Sequence, residues 1–261
     1  NIEIKNIPTL DIDIEKNIPK SKTSNSDAIA IIFGIEQYKD ISDVTFAERD
    51  AAFIKEYFIN TLGIPESRIY FQTNNDVTKA EFDKVFDEGG WIDKRRRTDS
   101  DIYFYYAGHG APDIKEGKAY LIPFDGDPNY ARQTGYALDD LYDKLNNFEA
   151  NSCTVFLDAC FTGMNRESEI LLAGARPISI EVDKSYQGNV TVFSASSSKE
   201  ISSSWPIKKH GLFSYFLMKG IQGNADLNSN NEITIKELGD YIYRNVSITA
   251  GELDREQSPV L

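Results

Sequence analysis

The 261 residues carry 28 Lys and Arg against 41 Asp and Glu, a formal net charge of −13, and 41% of them are hydrophobic. That length suits one large α/β domain with a core of its own, or at most two small ones. The acidic balance argues against a nucleic-acid partner, whose phosphates need Lys and Arg, and no apolar run reaches the roughly eighteen residues of a membrane span.

Residues 1–27 are polar, contain proline and hold no sustained period, which predicts an N-terminal arm or linker. They lack a signal-peptide pattern. With no initiator Met and an abrupt end at "QSPVL", the chain reads as a fragment or a processed piece. "AIAIIFGI" (28–35) is a continuous apolar run of the kind buried on both faces of a parallel sheet. "TFAERDAAFIKEYFINTLG" (45–63) predicts a helix opened by a capping box from Thr45 to Glu48 and closed by Gly63. A strand follows at 68–72, then helix over most of 78–92. "DIYFYYA" (101–107), "AYLIPFD" (119–125), "TVFLDA" (154–159) and "VTVFSA" (190–195) predict further strands, with helices near 138–148, 212–222 and 235–247. Between them, 163–189 reads as a long exposed loop. Alternating units of this kind imply an α/β fold, a mostly parallel sheet of about six strands with helices on both faces. Ligands and chemistry then gather at the carboxyl ends of the strands.

Two strands end in reactive residues followed by glycine, "YFYYAGHG" and "TVFLDACFTG". The strand-end rule sends His109 and Cys160 to one rim, where a thiol and an imidazole make a nucleophile and its acid/base partner. Glycines beside His109 predict close backbone approach and positive φ. The N–H groups of Gly110 and Cys160 would together form an oxyanion hole. The second pair, Cys153 and His210, is less promising, because Cys153 begins its strand at the opposite rim. Seven residues along one strand also suit a disulfide between Cys153 and Cys160 poorly.

"YYAGHG" and "FLDACFTG", about fifty residues apart with His first, resemble the caspase-like cysteine peptidases, and metacaspases with their bacterial relatives in particular. The likeness runs over roughly 28–258 and takes in "VFSASSSKEISSSW" and "HGLFSYFLMKGIQG". It implies a caspase-like sandwich with a large part (28–163), a processing-type loop (164–189) and a small part (190–261). It also implies His109 and Cys160 as a catalytic dyad, with protein or peptide as substrate. Asp158 stands two residues before the Cys, where caspases that cut after Asp carry Gln and metacaspases carry Asp. Asp50 matches a second pocket acid of metacaspases. Trp205 matches a caspase substrate-loop Trp, yet Pro206 follows it in place of the substrate-binding Arg. Two carboxylates without that cation imply cleavage after Arg or Lys. Asp50 also lies within the apolar stripe of Phe46, Phe53 and Tyr57, so it needs a partner. A catalytically silent interaction module and an Asp-specific peptidase stand as alternatives.

The chemistry itself calls for no cofactor, but metacaspases often use calcium as an activator. The matching positions are Asp125, Asp139 and Asp140, with Glu167 where another Asp would stand. "DLNSNNEITIKE" (226–237) spaces Asp226, Asn228, Asn230 and Glu237 like a calcium loop, though a turn before a Thr234–Glu237 capping box is favoured. Self-cleavage would fall at Arg166, Arg176 or Lys184 in the loop, or at Lys16, Lys20 or Lys22 in the arm. Oligomeric state is not legible from the sequence.

Overall fold

Runs rich in Ile, Val, Tyr and Phe form the centre of the protein, because such residues fit a pleated surface that is covered on both sides. The structure, a computed structural model, describes residues 10–113, 116–162, 188–197 and 200–261. The central sheet holds β1 (Ile29–Gly34), β2 (Ile69–Thr73), β3 (Asp101–Ala107), β7 (Ser152–Asp158) and β8 (Val190–Ser194). Their order is β2-β1-β3-β7-β8, with every pairing parallel.

The helices are α1 (Asp13–Lys16), α2 (Ala47–Asn60), α3 (Lys79–Phe86), α4 (Ala131–Thr134), α5 (Leu138–Asn147), α6 (Leu212–Lys219) and α7 (Ile235–Glu252). The two-residue alternation of β3 assigns the layers. Tyr103 meets Phe58 of α2 and Tyr105 bonds Ser214 of α6, whereas Phe104 and Tyr106 turn to Phe86 and Phe82 of α3. Burial of each such ring contributes about 1.5–3 kcal/mol. Helices thus cover both faces of the sheet, as the alternation of elements predicts.

Three expectations change. "AYLIPFD" does not join the central sheet. It supplies β5 (Lys118–Leu121) of a small antiparallel sheet with β4 (Gly110–Asp113) and β6 (Tyr136–Ala137). The chain turns back straight after His109 and pairs with itself there, so five strands rather than about six make the main sheet among the described residues.

Helix α2 begins at Ala47 with Phe46 as its N-cap at φ 71°, and no side chain caps it. Glu48 faces Thr73 and the backbone N–H of Glu48 donates to Glu36, so the expected Thr45–Glu48 box does not form. Gly63 does adopt positive φ just past the helix end.

The described part of the arm, residues 10–27, lies against the domain. Ile14 is fully buried, Tyr57 Oη donates to its carbonyl at 2.7 Å, and Thr61 Oγ1 donates to the Pro19 carbonyl at 2.8 Å. The loop positions Arg166, Glu167, Arg176 and Lys184 lie outside the described residues. A last hairpin, β9 (Ser204–Trp205) with β10 (His210–Gly211), leads directly into α6.

Candidate active site

Ala107 pairs with Asp158 in the β3–β7 ladder, and the Gly108 N–H carries that ladder one step further to the Asp158 carbonyl, at 3.3 Å. His109 and Cys160 therefore each stand two residues beyond a matched pair on neighbouring parallel strands. Parallel pairing keeps equal offsets level, which brings the two loops to one rim. The glycines serve close approach. A Cβ on Gly110 would lie 2.5 Å from the Phe161 ring and 2.7 Å from the Cys160 carbonyl oxygen. Positive φ is not their role, since neither Gly108 nor Gly110 adopts it.

The His109 side chain is buried, and its Nε2 lies 2.7 Å from the Ser42 carbonyl oxygen. A carbonyl only accepts, so this contact keeps the proton on Nε2 and leaves Nδ1 as the basic nitrogen of the neutral ring. The ring of Tyr38 packs on the imidazole at 4.7 Å between centroids. Neither Ser42 nor Tyr38 emerged from the sequence reading. The signal was there, because both follow the end of β1, next to β3, on the same rim.

Cys160 is 4% exposed, and its thiol lies 2.9 Å from Thr162 Oγ1 and 3.4 Å from the Glu200 carbonyl oxygen. No disulfide joins it to Cys153. Cys153 sits at the start of β7 with its thiol towards the Leu145 carbonyl, 3.6 Å away. Burial, helped by the charge of Asp101, pushes that thiol up to about 12. A thiol so unwilling to ionise is a packing residue, not a nucleophile.

The two acids singled out in the sequence meet the same helix start. Asp158 is fully buried and accepts from Ser202 Oγ and Ser214 Oγ, both at 2.5 Å. Asp50, also fully buried, accepts from the Gly211 N–H at 2.9 Å and lies 2.6 Å from His210 Nδ1. The partner its position in an apolar stripe demands is therefore His210. The other imidazole nitrogen of His210 lies 2.8 Å from Glu15 of the arm, and Glu15 in turn pairs with Arg49 at 2.6 Å. With a carboxylate at each nitrogen, the ring donates at both and is an imidazolium. Burial alone would push this imidazole down, but the bonds to Asp50 and Glu15 override it and hold it up. His210 and Glu15 are the residues the sequence reading undervalued.

Trp205 stacks on Phe216 and meets Tyr215 edge-on, while the nearby Lys208 ammonium is drawn to Asp13 at 3.3 Å. The candidate calcium ligands do not converge. Asp125 accepts the Lys79 N–H, Asp139 and Asp140 lie in the first turn of α5, and no metal-holding group of three His, Cys, Asp or Glu occurs among the described residues. The fourth position of that set, Glu167, lies outside the described residues. In 226–237 the favoured turn forms, with Asn231 at φ 66° and a complete Thr234–Glu237 capping box opening α7. Among the described residues no helix is long and apolar enough to cross a membrane.

The caspase domain family, peptidase C14, matches residues 27–261. The crystal structure of caspase-1 from Spodoptera frugiperda is similar in fold, with a TM-score of 0.59 at 14% identity over 97% of this chain and 92% of that one. No curated protein matches the chain. With the family matched over nearly its whole length, the chain belongs to the caspase-domain peptidases and is a cysteine-type endopeptidase acting on protein or peptide.

Proposed function

We propose that Cys160 and His109 are the catalytic dyad and that the enzyme cuts after Arg or Lys. What carries this reading is the matched register of β3 and β7, which sets both residues at the same offset beyond Ala107 and Asp158. The Cys160 proton passes to Nδ1 of His109, and the thiolate so formed attacks the substrate carbonyl and forms a C–S bond. The resulting oxyanion accepts from the N–H groups of Gly110 and Cys160. The C–N bond then breaks, with His109 giving its proton to the departing amine. Water, deprotonated by His109, hydrolyses the thioester and returns the thiol.

Asp158 is the pocket acid in this scheme. Two serine hydroxyls hold it without cancelling its charge. A guanidinium that displaces one hydroxyl exchanges a neutral hydrogen bond for a charge-assisted one, roughly twice as strong. Asp50 supports the pocket indirectly, through His210 and the start of α6. A preference for Asp finds less support, since the caspase-1 likeness at 14% identity speaks to fold alone.

A panel of fluorogenic peptides ending in Arg, Lys or Asp, assayed with and without calcium, tests the reading. Arg and Lys peptides should be cleaved and the Asp peptide spared, and Cys160→Ala or His109→Ala should remove about 100-fold or more of the rate. Cleavage after Asp alone refutes the specificity; turnover that survives in Cys160→Ala refutes the dyad. Self-cleavage at Lys16, Lys20 or Lys22, or at Arg166, Arg176 or Lys184, belongs to the same reading. Mass spectrometry should find such cuts in the wild type and not in Cys160→Ala.

A further inference from the structure

Both main-chain polar groups of His109 meet tyrosine hydroxyls. Its N–H donates to Tyr38 Oη at 2.7 Å, and its carbonyl accepts from Tyr106 Oη at 2.8 Å. Tyr38 Oη in turn donates to the Ile122 carbonyl at 3.2 Å, and Tyr106 Oη lies 2.9 Å from that same oxygen. The two phenols are 3.3 Å apart, so they form one buried cluster beneath the histidine. Gly108 makes room for it. A Cβ there would lie 2.6 Å from Tyr38 Oη and 2.7 Å from Tyr106 Oη.

Tyr38 does more than hold the backbone. Its ring lies against the imidazole, tilted by 44°, while Ser42 of the same loop holds Nε2 at the ring edge. One short loop thus restrains the height of the His109 backbone, the plane of its ring and the identity of its protonated nitrogen. Proton transfer demands such control, because a misplacement of about 1 Å costs on the order of 100-fold in rate.

We propose that Tyr38 is a positioning residue that sets the His109 imidazole for proton delivery to the departing amine. The proposal rests on the reading of His109 and Cys160 as the dyad. It separates two reactions of one enzyme. An arginyl anilide expels an amine that must be protonated as it leaves. An arginyl nitrophenyl ester expels a phenolate that needs no proton. Loss of positioning should therefore slow acylation by the first far more than by the second, whereas general damage to the fold or the pocket slows both alike.

The test compares Tyr38→Phe, which keeps the ring, with Tyr38→Leu, which loses ring and hydroxyl. Tyr38→Phe should lower kcat for the anilide about tenfold and Tyr38→Leu about 100-fold. Acylation by the ester, read as the nitrophenolate burst that precedes the His109-dependent hydrolysis of the thioester, should slow less than about threefold in the Phe variant, with KM for both substrates within about twofold of wild type. Thermal melts establish that each variant is folded at the assay temperature, and the Phe variant alone suffices if the Leu variant does not fold. Equal losses in acylation by anilide and by ester, or a rise in KM with kcat intact, would overturn the proposal while leaving the dyad standing. A wild type that turns over neither arginyl substrate but cleaves after Asp would remove the Arg specificity and move the same comparison to aspartyl substrates, whereas no turnover of any of them would remove the dyad, and this proposal with it.

Discussion

His210 Nδ1 stands 2.6 Å from Asp50 Oδ1, with neither side chain exposed to solvent. The opposite nitrogen faces Glu15, 195 residues away in sequence, so one imidazolium fastens the arm, α2 and the hairpin before α6 together. Removing the imidazole would take the cation from between two buried carboxylates, although Glu15 keeps Arg49 and Asp50 keeps the Gly211 N–H. His210→Ala should cost about 3–5 kcal/mol of stability, and Glu15→Ala, which leaves His210 its bond to Asp50, should cost less. Urea denaturation measures both, and a loss below about 1 kcal/mol for His210→Ala would mean water already relieves the site.

This tie also sets a pH dependence. The raised His210 imidazole contributes stability that is complete below its ordinary 6.5 and is lost as pH rises through its folded value. Burial pushes the Glu15 carboxyl up, but its bonds to His210, Arg49 and the Leu10 N–H bring it below its ordinary 4.5. Its contribution is complete above 4.5 and is lost as pH falls through the folded value. Asp13 follows the same sign. Burial opposes its ionisation, yet Lys219, Tyr215 and Lys208 lower it to about 2. Denaturation midpoints should therefore be highest between 4.5 and 6.5 and decline on both sides. His210→Asn should flatten the alkaline decline, and an unchanged alkaline limb in that variant would assign it to other groups.

Asp50 and Asp158 should separate by function. Asp158→Asn is expected to reduce kcat/KM for Arg and Lys peptides by about 10- to 100-fold, mainly through KM. Asp50→Asn should lower the melting temperature while keeping the ratio of Arg to Asp cleavage near wild type. Measured side by side, a change of specificity in Asp50→Asn with stability intact would return Asp50 to the pocket.

Gly110→Ala tests the close approach of the two loops. The added methyl meets the Cys160 carbonyl at 2.7 Å, and a backbone oxygen yields less readily than a side-chain tip. The substitution should cost about 1–3 kcal/mol and displace the nucleophile. Alkylation of Cys160 by iodoacetamide, together with peptide turnover, reads the displacement. Wild-type values in both would show that the loops can part without consequence.

The strands and the ends that carry His109 and Cys160 were legible in the sequence, because continuous apolar runs need cover on both faces. Local signals misled where a distant group competed. The Thr45–Glu48 box failed because Glu48 is engaged by Thr73 and by the side of Glu36, neither of which sequence proximity indicates. The glycines around His109 were recognised as special, for close backbone approach and for positive φ, and neither Gly108 nor Gly110 adopts positive φ. Their role is room, for two phenols at Gly108 and for Phe161 at Gly110.

Hydrophobic period, strand ends and glycine spacing determine by themselves that this chain is an α/β protein with a thiol and an imidazole on one rim. They suffice because parallel strands joined by crossovers all deliver their carboxyl ends to the same edge. Only the tertiary structure decided which charges meet. That Asp50 answers to His210, that Glu15 of the arm closes the pair, and that Asp158 rests on two serines depend on side-chain direction across segments far apart in the chain. A periodic pattern records which face of an element is buried, and it contains no term for what lies opposite.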